Sequence, residues 1–356
     1  MKREFYAQFS LALQDSVTQG FAIAWLVKQS TRLPARWLEI VRLENDWARL
    51  EILSQAIITG RKEEARMGTR KMSGGLRYWI ENHAETFYKK QQKEYIDALK
   101  LAPALPDLSL FPAGAWAVQI TFTLRKPYIS KDDVDFYILD NPVKKEWVFK
   151  VPYVAPSQWK GALRAAMVRE LTEENTALDD DAWIERRLQL VRLFGNEKSV
   201  GIEDQRFEAY LDKLRPDAAK TYRERLKKLT PTGFLAGCLH FYPTFFDKIG
   251  LEVINPHDRE TGAGKHPIYF ECVPAGTRGV FTLLYVPLNV GPADENICQD
   301  DLRAVARGIR AMLTEYGFGA KTSSGYGVAE VNQEEIKVQP ETWHETFMRE
   351  WGMADG

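Results

Sequence analysis

Residues 317 to 327 read Gly-Phe-Gly-Ala-Lys-Thr-Ser-Ser-Gly-Tyr-Gly and stand between a helical spacing of apolar residues and a short apolar run with strand spacing. Four glycines in so short a stretch dictate a backbone that turns through positive φ and leaves its N–H groups open to close approach. Lys321, Thr322, Ser323 and Ser324 add a cation and three hydroxyls. Such a loop suits a phosphate, and several donors in a row suit a nucleic-acid backbone. It is not a nucleotide-binding P-loop, which runs strand, loop, helix and needs Gly-Lys-Ser/Thr. Here Ala320 precedes Lys321 and the order is helix, loop, strand. The alternative is a turn that only reverses the chain.

Upstream of the loop, Leu302, Val305, Ala306, Ile309, Met312 and Tyr316 mark the apolar stripe of a helix, with Arg303, Arg307 and Arg310 on its other face. Asp300 or Asp301 is expected to cap it, and Gly317 to stop it. Downstream, Tyr326 to Val331 reads as a last strand, followed by an amphipathic helix around Trp343, Phe347 and Trp351. Earlier in the chain, Trp116, Val118, Ile120, Phe122 and Leu124 alternate with polar residues, which is the period of a half-buried strand. Ser157 is placed to cap a helix through about Leu171. After a charged helical stretch over 180–228, Leu235 to Phe241 and Val280 to Val286 resume strand spacing, with a short strand at Ile268 to Cys272.

The order is strand, helix, strand, strand, helix, strand. It predicts an α+β fold with a ferredoxin-like (RRM-like) βαββαβ core over 116–332 and insertions at 126–156, 174–233 and 249–278. Residues 1–110 carry Phe21, Trp25, Trp37, Leu38, Val41, Trp47, Leu50, Leu53 and Ile57 at helical steps and form a separate helical extension; 333–356 form a tail. Arg61, Lys62, Arg66, Arg70, Lys71 and Arg77 make the middle of the extension basic, as a solvated loop or as a phosphate contact.

With a formal net charge of −1, the 356-residue chain has no global attraction to nucleic acid, so binding must come from local basic surfaces. Cys238, Cys272 and Cys298 are too scattered for a disulfide framework or a zinc site, and the histidines lack metal-ligand spacing. No apolar run of about 18 residues is present to span a membrane, and the start has no signal-peptide pattern, so a cytoplasmic location is expected.

Three further stretches join the glycine loop in a family likeness. They are Val151-Pro152-Tyr153-Val154-Ala155-Pro156-Ser157-Gln158-Trp159-Lys160-Gly161-Ala162-Leu163-Arg164, Leu193-Phe194-Gly195, and Gly237 to Asp247 followed by Leu251 to His257. Over about residues 116 to 332 the chain resembles the RAMP superfamily of CRISPR proteins, the ferredoxin-like subunits that wrap guide RNA in type III effector complexes. It is most similar to the subfamily that caps the guide's 3′ end. The resemblance implies guide RNA, target RNA, other RAMP subunits, small helical subunits and a large subunit as partners. It also implies an RNA-binding set of Ser157, Lys160, Arg164, Gly317, Gly319, Lys321, Thr322, Ser323, Ser324, Gly325, Tyr326 and Gly327, with Asn255, His257, Arg259 and Trp159 as further contacts. Independently of the name, Ser157, Lys160 and Arg164 surround a helix amino terminus, where free N–H groups and the dipole favour an anion. The aromatics Tyr153, Trp159, Phe318 and Tyr326 either stack on unpaired bases or pad a core.

Leu139-Asp140-Asn141-Pro142-Val143 is similar to the context of the aspartate with which backbone subunits of the superfamily cleave target RNA. Asp140 inherits from that likeness a metal-assisted role, with a divalent ion (Mg or Mn) that binding alone does not require. Asp132, Asp133 and Asp135 lie nearby; a solvated turn is the other reading. His257 beside Asp258, Arg259 and Glu260 would serve a guide-processing endoribonuclease of the same superfamily. A free-standing module that takes a nucleotide in the glycine loop is a further alternative. The expectation is an RNA-holding subunit rather than an enzyme.

Overall fold

The computed structural model describes residues 16–32, 43–58, 60–68, 74–132, 137–196, 207–229, 234–255, 267–288 and 294–352. The chain falls into two units. One comprises Met1–Leu101, Lys126–Tyr153 and Phe245–Thr277; the other comprises Ala102–Arg125, Val154–Thr244 and Arg278–Gly356.

The second unit contains the sheet. Alternation from Trp116 produces β1 (Trp116–Leu124), whose Trp116, Val118, Ile120, Phe122 and Leu124 are all buried. The chain then forms helices α1 (Pro156–Glu173), α2 (Asp180–Phe194) and α3 (Pro216–Leu229). Strands β2 (Leu239–Phe241) and β3 (Arg278–Tyr285), helix α4 (Glu295–Ala311), strand β4 (Ala329–Gln339) and helix α5 (His344–Gly352) complete the unit. The strands lie in the order β2-β3-β1-β4, each pair antiparallel. The mixed helix-and-sheet class is therefore as read, with strand, helix, strand, strand, helix, strand as the order of elements through the sheet.

The two faces of this sheet differ. On one, Trp116 stacks on Tyr285 at 4.8 Å, and Trp159 of α1 meets Phe122 and Phe281 edge-on at 6.0 and 5.0 Å. Gly308 lets α1 and α4 approach closely, since a Cβ there would sit 2.4 Å from Met167 Cγ. On the other face, Leu105, Leu108 and Phe111 cover Ala117, Leu284 and Val286. The Gln119 amide there donates to the Pro103 carbonyl and to Thr282 Oγ1. The Phe-Gly element serves packing: the chain at Phe194-Gly195 crosses Gly237 so closely that a Cβ on Gly237 would lie 2.4 Å from the Phe194 carbonyl carbon.

Three local expectations need correction. The cap of α4 is Asp294, which accepts from the Asn296 N–H, and not Asp300 or Asp301. Asp301 lies inside the helix, where its buried carboxylate accepts from Arg192 Nε and Nη2 at 2.8 and 2.6 Å and from the Tyr285 hydroxyl at 2.8 Å. Ser157 does not cap α1: Ala155 holds the cap position, Pro156 starts the helix with its fixed φ, and the Gln158 side chain accepts from the Ala155 N–H. The last strand begins at Ala329, because Tyr326 and Gly327 belong to the loop.

The first unit carries helices Ser16–Leu26, Asp46–Leu53, Lys62–Met67, Gly75–Trp79 and Glu85–Gln91, and the antiparallel strands Gly250–Ile254 and Ile268–Cys272. Glu271 is wholly buried and accepts from Lys145, from the Tyr137 hydroxyl at 2.7 Å and from the Val143 N–H. The basic middle of the helical region is paired: Arg61 with Glu64, Arg66 with Glu63 and Arg77 with Glu81, while Arg70 and Lys71 lie outside the described residues. Among the described residues no helix is long and apolar enough to cross a membrane.

Candidate nucleic-acid interface

The glycine loop has the backbone its composition demands. Gly317, Gly319, Gly325 and Gly327 all have positive φ. Two of them close a neck: a Cβ on Gly327 would lie 1.9 Å from the Phe318 carbonyl oxygen, and one on Gly317 would lie 2.5 Å from that of Tyr326. The Phe318 N–H donates across this neck to the Gly327 carbonyl at 3.2 Å. Beyond the neck the loop turns outward, with Gly319, Lys321, Ser323 and Ser324 exposed and Thr322, Gly325 and Tyr326 half-buried.

Lys321 is left-handed at φ 60° and ψ 30°, and the residues after it, Thr322–Ser324, form a single right-handed turn. Such a reversal of hand points successive N–H groups into one concavity, which is the geometry of an anion nest. The N–H groups of Ser324 and Gly325 are used within the turn, by the carbonyls of Lys321 and Thr322. Those of Gly319, Ala320, Thr322 and Ser323 have no hydrogen bond among the described residues. A helix or strand satisfies such donors internally, so their availability marks the loop as a place for an acceptor from outside.

The start of α1 stands beside this loop. Trp159, 0% exposed, packs on Phe318 with ring centroids 4.4 Å apart, and its indole N–H donates to Thr244 Oγ1 at 3.1 Å. Trp159 and Phe318 are therefore core residues that join the helix tip to the loop, and Trp159 is not available to stack on a base. The tip offers fewer N–H groups than expected: Pro156 has none, and those of Gln158 and Trp159 go to the Ala155 carbonyl. Ser157 is exposed, and neither its N–H nor its hydroxyl has a hydrogen bond among the described residues. The cations carry more of the attraction. Burial and then Arg164 push the Lys160 ammonium below the ordinary lysine range. His240 is exposed on β2 opposite Leu284, on the sheet face away from α1, and its imidazole is lowered by burial and then by Lys160.

Asp140 and Asn255 belong to the first unit, and His257, Arg259, Asp133 and Asp135 lie outside the described residues. The Asp140 side chain, 62% exposed, is ion-paired with Lys62 and, at 3.7 Å, with Arg66. Arg66 lies over the Tyr269 ring. Asp132 accepts from the Lys145 N–H at 3.2 Å. Among the described residues no three His, Cys, Asp or Glu side chains converge on a point that could hold a metal ion. The donors around Asp140 are cationic, so this set does not fit a divalent ion.

A family model described as the RAMP superfamily matches residues 136–330, more than half of the chain. No curated protein matches the sequence. Among solved structures, the chain is similar to one in the cryo-EM structure of the type III-B Cmr-beta bound to cognate target RNA. That match has 14% identity, covers 89% of this chain and 98% of that one, and has a TM-score of 0.43. It is also similar to Cmr6 from Pyrococcus furiosus (15% identity, 62% and 99% covered, TM-score 0.33). A chain of a CRISPR RNA-guided surveillance complex, pre-nicking, is similar at 16% identity, with 61% and 76% covered and a TM-score of 0.32.

Proposed function

We propose, from the premise that this chain belongs to the RAMP superfamily, that it is an RNA-holding subunit of a type III CRISPR ribonucleoprotein. The observation that carries the reading is the Trp159–Phe318 contact, which sets the glycine loop and the Lys160/Arg164 helix start side by side in one unit. Open N–H groups of Gly319, Ala320, Thr322 and Ser323 take phosphate oxygens of a single strand. Lys160, Arg164 and Lys321 supply the charge, and the Ser157, Thr322, Ser323 and Ser324 hydroxyls further donors. None of these groups reads a base edge, so sequence selection is left to pairing between guide and target, as in other guide-dependent effectors.

This reading makes the chain a grip and not a nuclease, and the ion pairs around Asp140 support it. By the motif likeness, its place is at the guide's 3′ end, with other RAMP subunits, small helical subunits and a large subunit as neighbours, in the cytoplasm. The test is binding of labelled single-stranded RNA across a salt series by the purified chain and by its Lys160→Ala/Arg164→Ala and Lys321→Ala variants. Each variant is expected to bind at least about tenfold more weakly and to flatten the salt dependence by about 0.7 for each phosphate that is no longer neutralised. Unchanged affinity with an unchanged salt slope would refute the assignment.

A further inference from the structure

Glycine inside a helix is unfavourable, because the unfolded chain gives up more freedom there and the backbone is left exposed. Several glycines of this unit have a reason within the fold. Gly308 gives α1 room against α4, Gly237 gives room to the crossing at Phe194-Gly195, and Gly317 and Gly327 close the neck of the loop at positive φ. Gly161 has none of these reasons. It lies inside α1, its φ is not in the left-handed region, and it is exposed. A Cβ added to it would meet no heavy atom within 4 Å beyond the helix backbone beside it. For the fold alone alanine would be the better residue, by roughly a factor of five in the ratio of folded to unfolded chain.

What surrounds this bare position is the RNA grip. Residues three and four apart share a helix face, so Ser157, Gly161 and Arg164 stand in one row with Lys160 beside it. Ser157 and Lys160 are exposed and Arg164 is half-buried. Helix side chains lean toward the amino end, so any group placed at position 161 would stand over Ser157 and beside the two cations. The same turn carries Trp159, whose contact with Phe318 brings the glycine loop alongside. A stretch of helix backbone without a side chain, set among donors, is what close approach of a second backbone requires. We propose that the sugar–phosphate backbone of the bound strand runs across α1 at Gly161 in van der Waals contact, and that the missing Cβ lets its phosphates reach Ser157, Lys160 and Arg164. The inference rests on the reading of this surface as an RNA grip and adds to it the line along which the strand passes. A side chain at position 161 holds the strand away from the cations, and attraction between charges falls with their separation.

The experiment pairs two measurements on the full chain, urea unfolding and fluorescence anisotropy of a labelled single-stranded RNA of mixed sequence. Both are made on the unaltered chain, Gly161→Ala and Gly161→Leu. Alanine and leucine are better helix formers than glycine, so both variants are expected to unfold at higher urea. Affinity is expected to move the other way. Gly161→Leu should bind at least about tenfold more weakly, the cost of forcing a bulky group into a filled contact, and Gly161→Ala should fall between it and the unaltered chain. A glycine that the fold itself needs would lower stability and affinity together, and an idle one would raise stability and leave affinity as it was. Either result overturns the proposal. If Lys160→Ala/Arg164→Ala weakens binding while Gly161→Leu binds as the unaltered chain does, the grip stands and the strand does not pass Gly161; if neither changes binding, both readings fail.

Discussion

Lys321 and Gly327 occupy the same region of backbone space for opposite reasons. Gly327, at φ 72°, is where the neck of the loop closes, and a methyl group there would meet the Phe318 carbonyl. Gly327→Ala is expected to cost roughly 1–3 kcal/mol in denaturant unfolding and to weaken RNA binding with it. Lys321 accepts left-handed strain at an exposed position, where its ammonium serves the proposed contact. In Lys321→Gly, relief of about 1–2 kcal/mol is offset by the flexibility of glycine in the unfolded chain. Thermal unfolding should stay near the original while affinity falls, which separates the charge from the fold. Asp140 is the contrasting case: its partners are Lys62 and Arg66, and exposed pairs of this kind contribute about 0–1 kcal/mol. In an assembled complex, Asp140→Ala is expected to leave every target-RNA cut in place, with product sizes on a denaturing gel as the measurement.

Helices α1, α2 and α4 are tied by groups that neither their stripes nor their caps announce. Asp301 receives Arg192 of α2 and the hydroxyl of Tyr285 on β3. Asp301→Ala leaves both donors without an acceptor and should cost about 3–5 kcal/mol, measurable as a shift of the urea midpoint. Glu170 of α1 is the second case. Burial raises its carboxyl to about 7, against the lowering effects of Arg307 and Arg186. A raised acid binds its proton more tightly in the folded chain than in the unfolded one, so its contribution is full below the unfolded value near 4.5 and is lost as pH rises toward 7. The melting temperature should therefore fall between pH 5 and pH 7, and Glu170→Gln should remove that part of the slope. Helix spacing specifies α1 and α4, but the residues that cap them are not those the local pattern favours. Several acidic or hydroxyl residues near a helix start satisfy the same local rule; packing put Asp294 at the cap of α4, while α1 starts at Pro156 behind Ala155, which has no capping side chain.

The chain as a whole is close to neutral, with a formal net charge of −1, so the proposed attraction to RNA has to come from local basic surfaces such as that of Lys160 and Lys321. Crosslinks to guide RNA are expected at peptides containing Lys160 and Lys321, and not at the paired arginines of α4; mass spectrometry of a crosslinked complex would show the distribution. What the sequence determined by itself is what depends on neighbours within a few residues. The burial of alternate residues in β1, the stripe of α4 and the positive φ of the four loop glycines follow from side-chain period and the absence of a Cβ. Only the tertiary structure decided which polar and charged groups are satisfied, because that depends on where distant segments cross. Lys62 reaches Asp140 from 78 positions away, Arg192 reaches Asp301 from 109, and Trp159 meets Phe318 between the helix tip and the loop. The N–H groups left open in the loop, and the unpaired Lys160 on the helix beside it, are what remains after those crossings have claimed their partners.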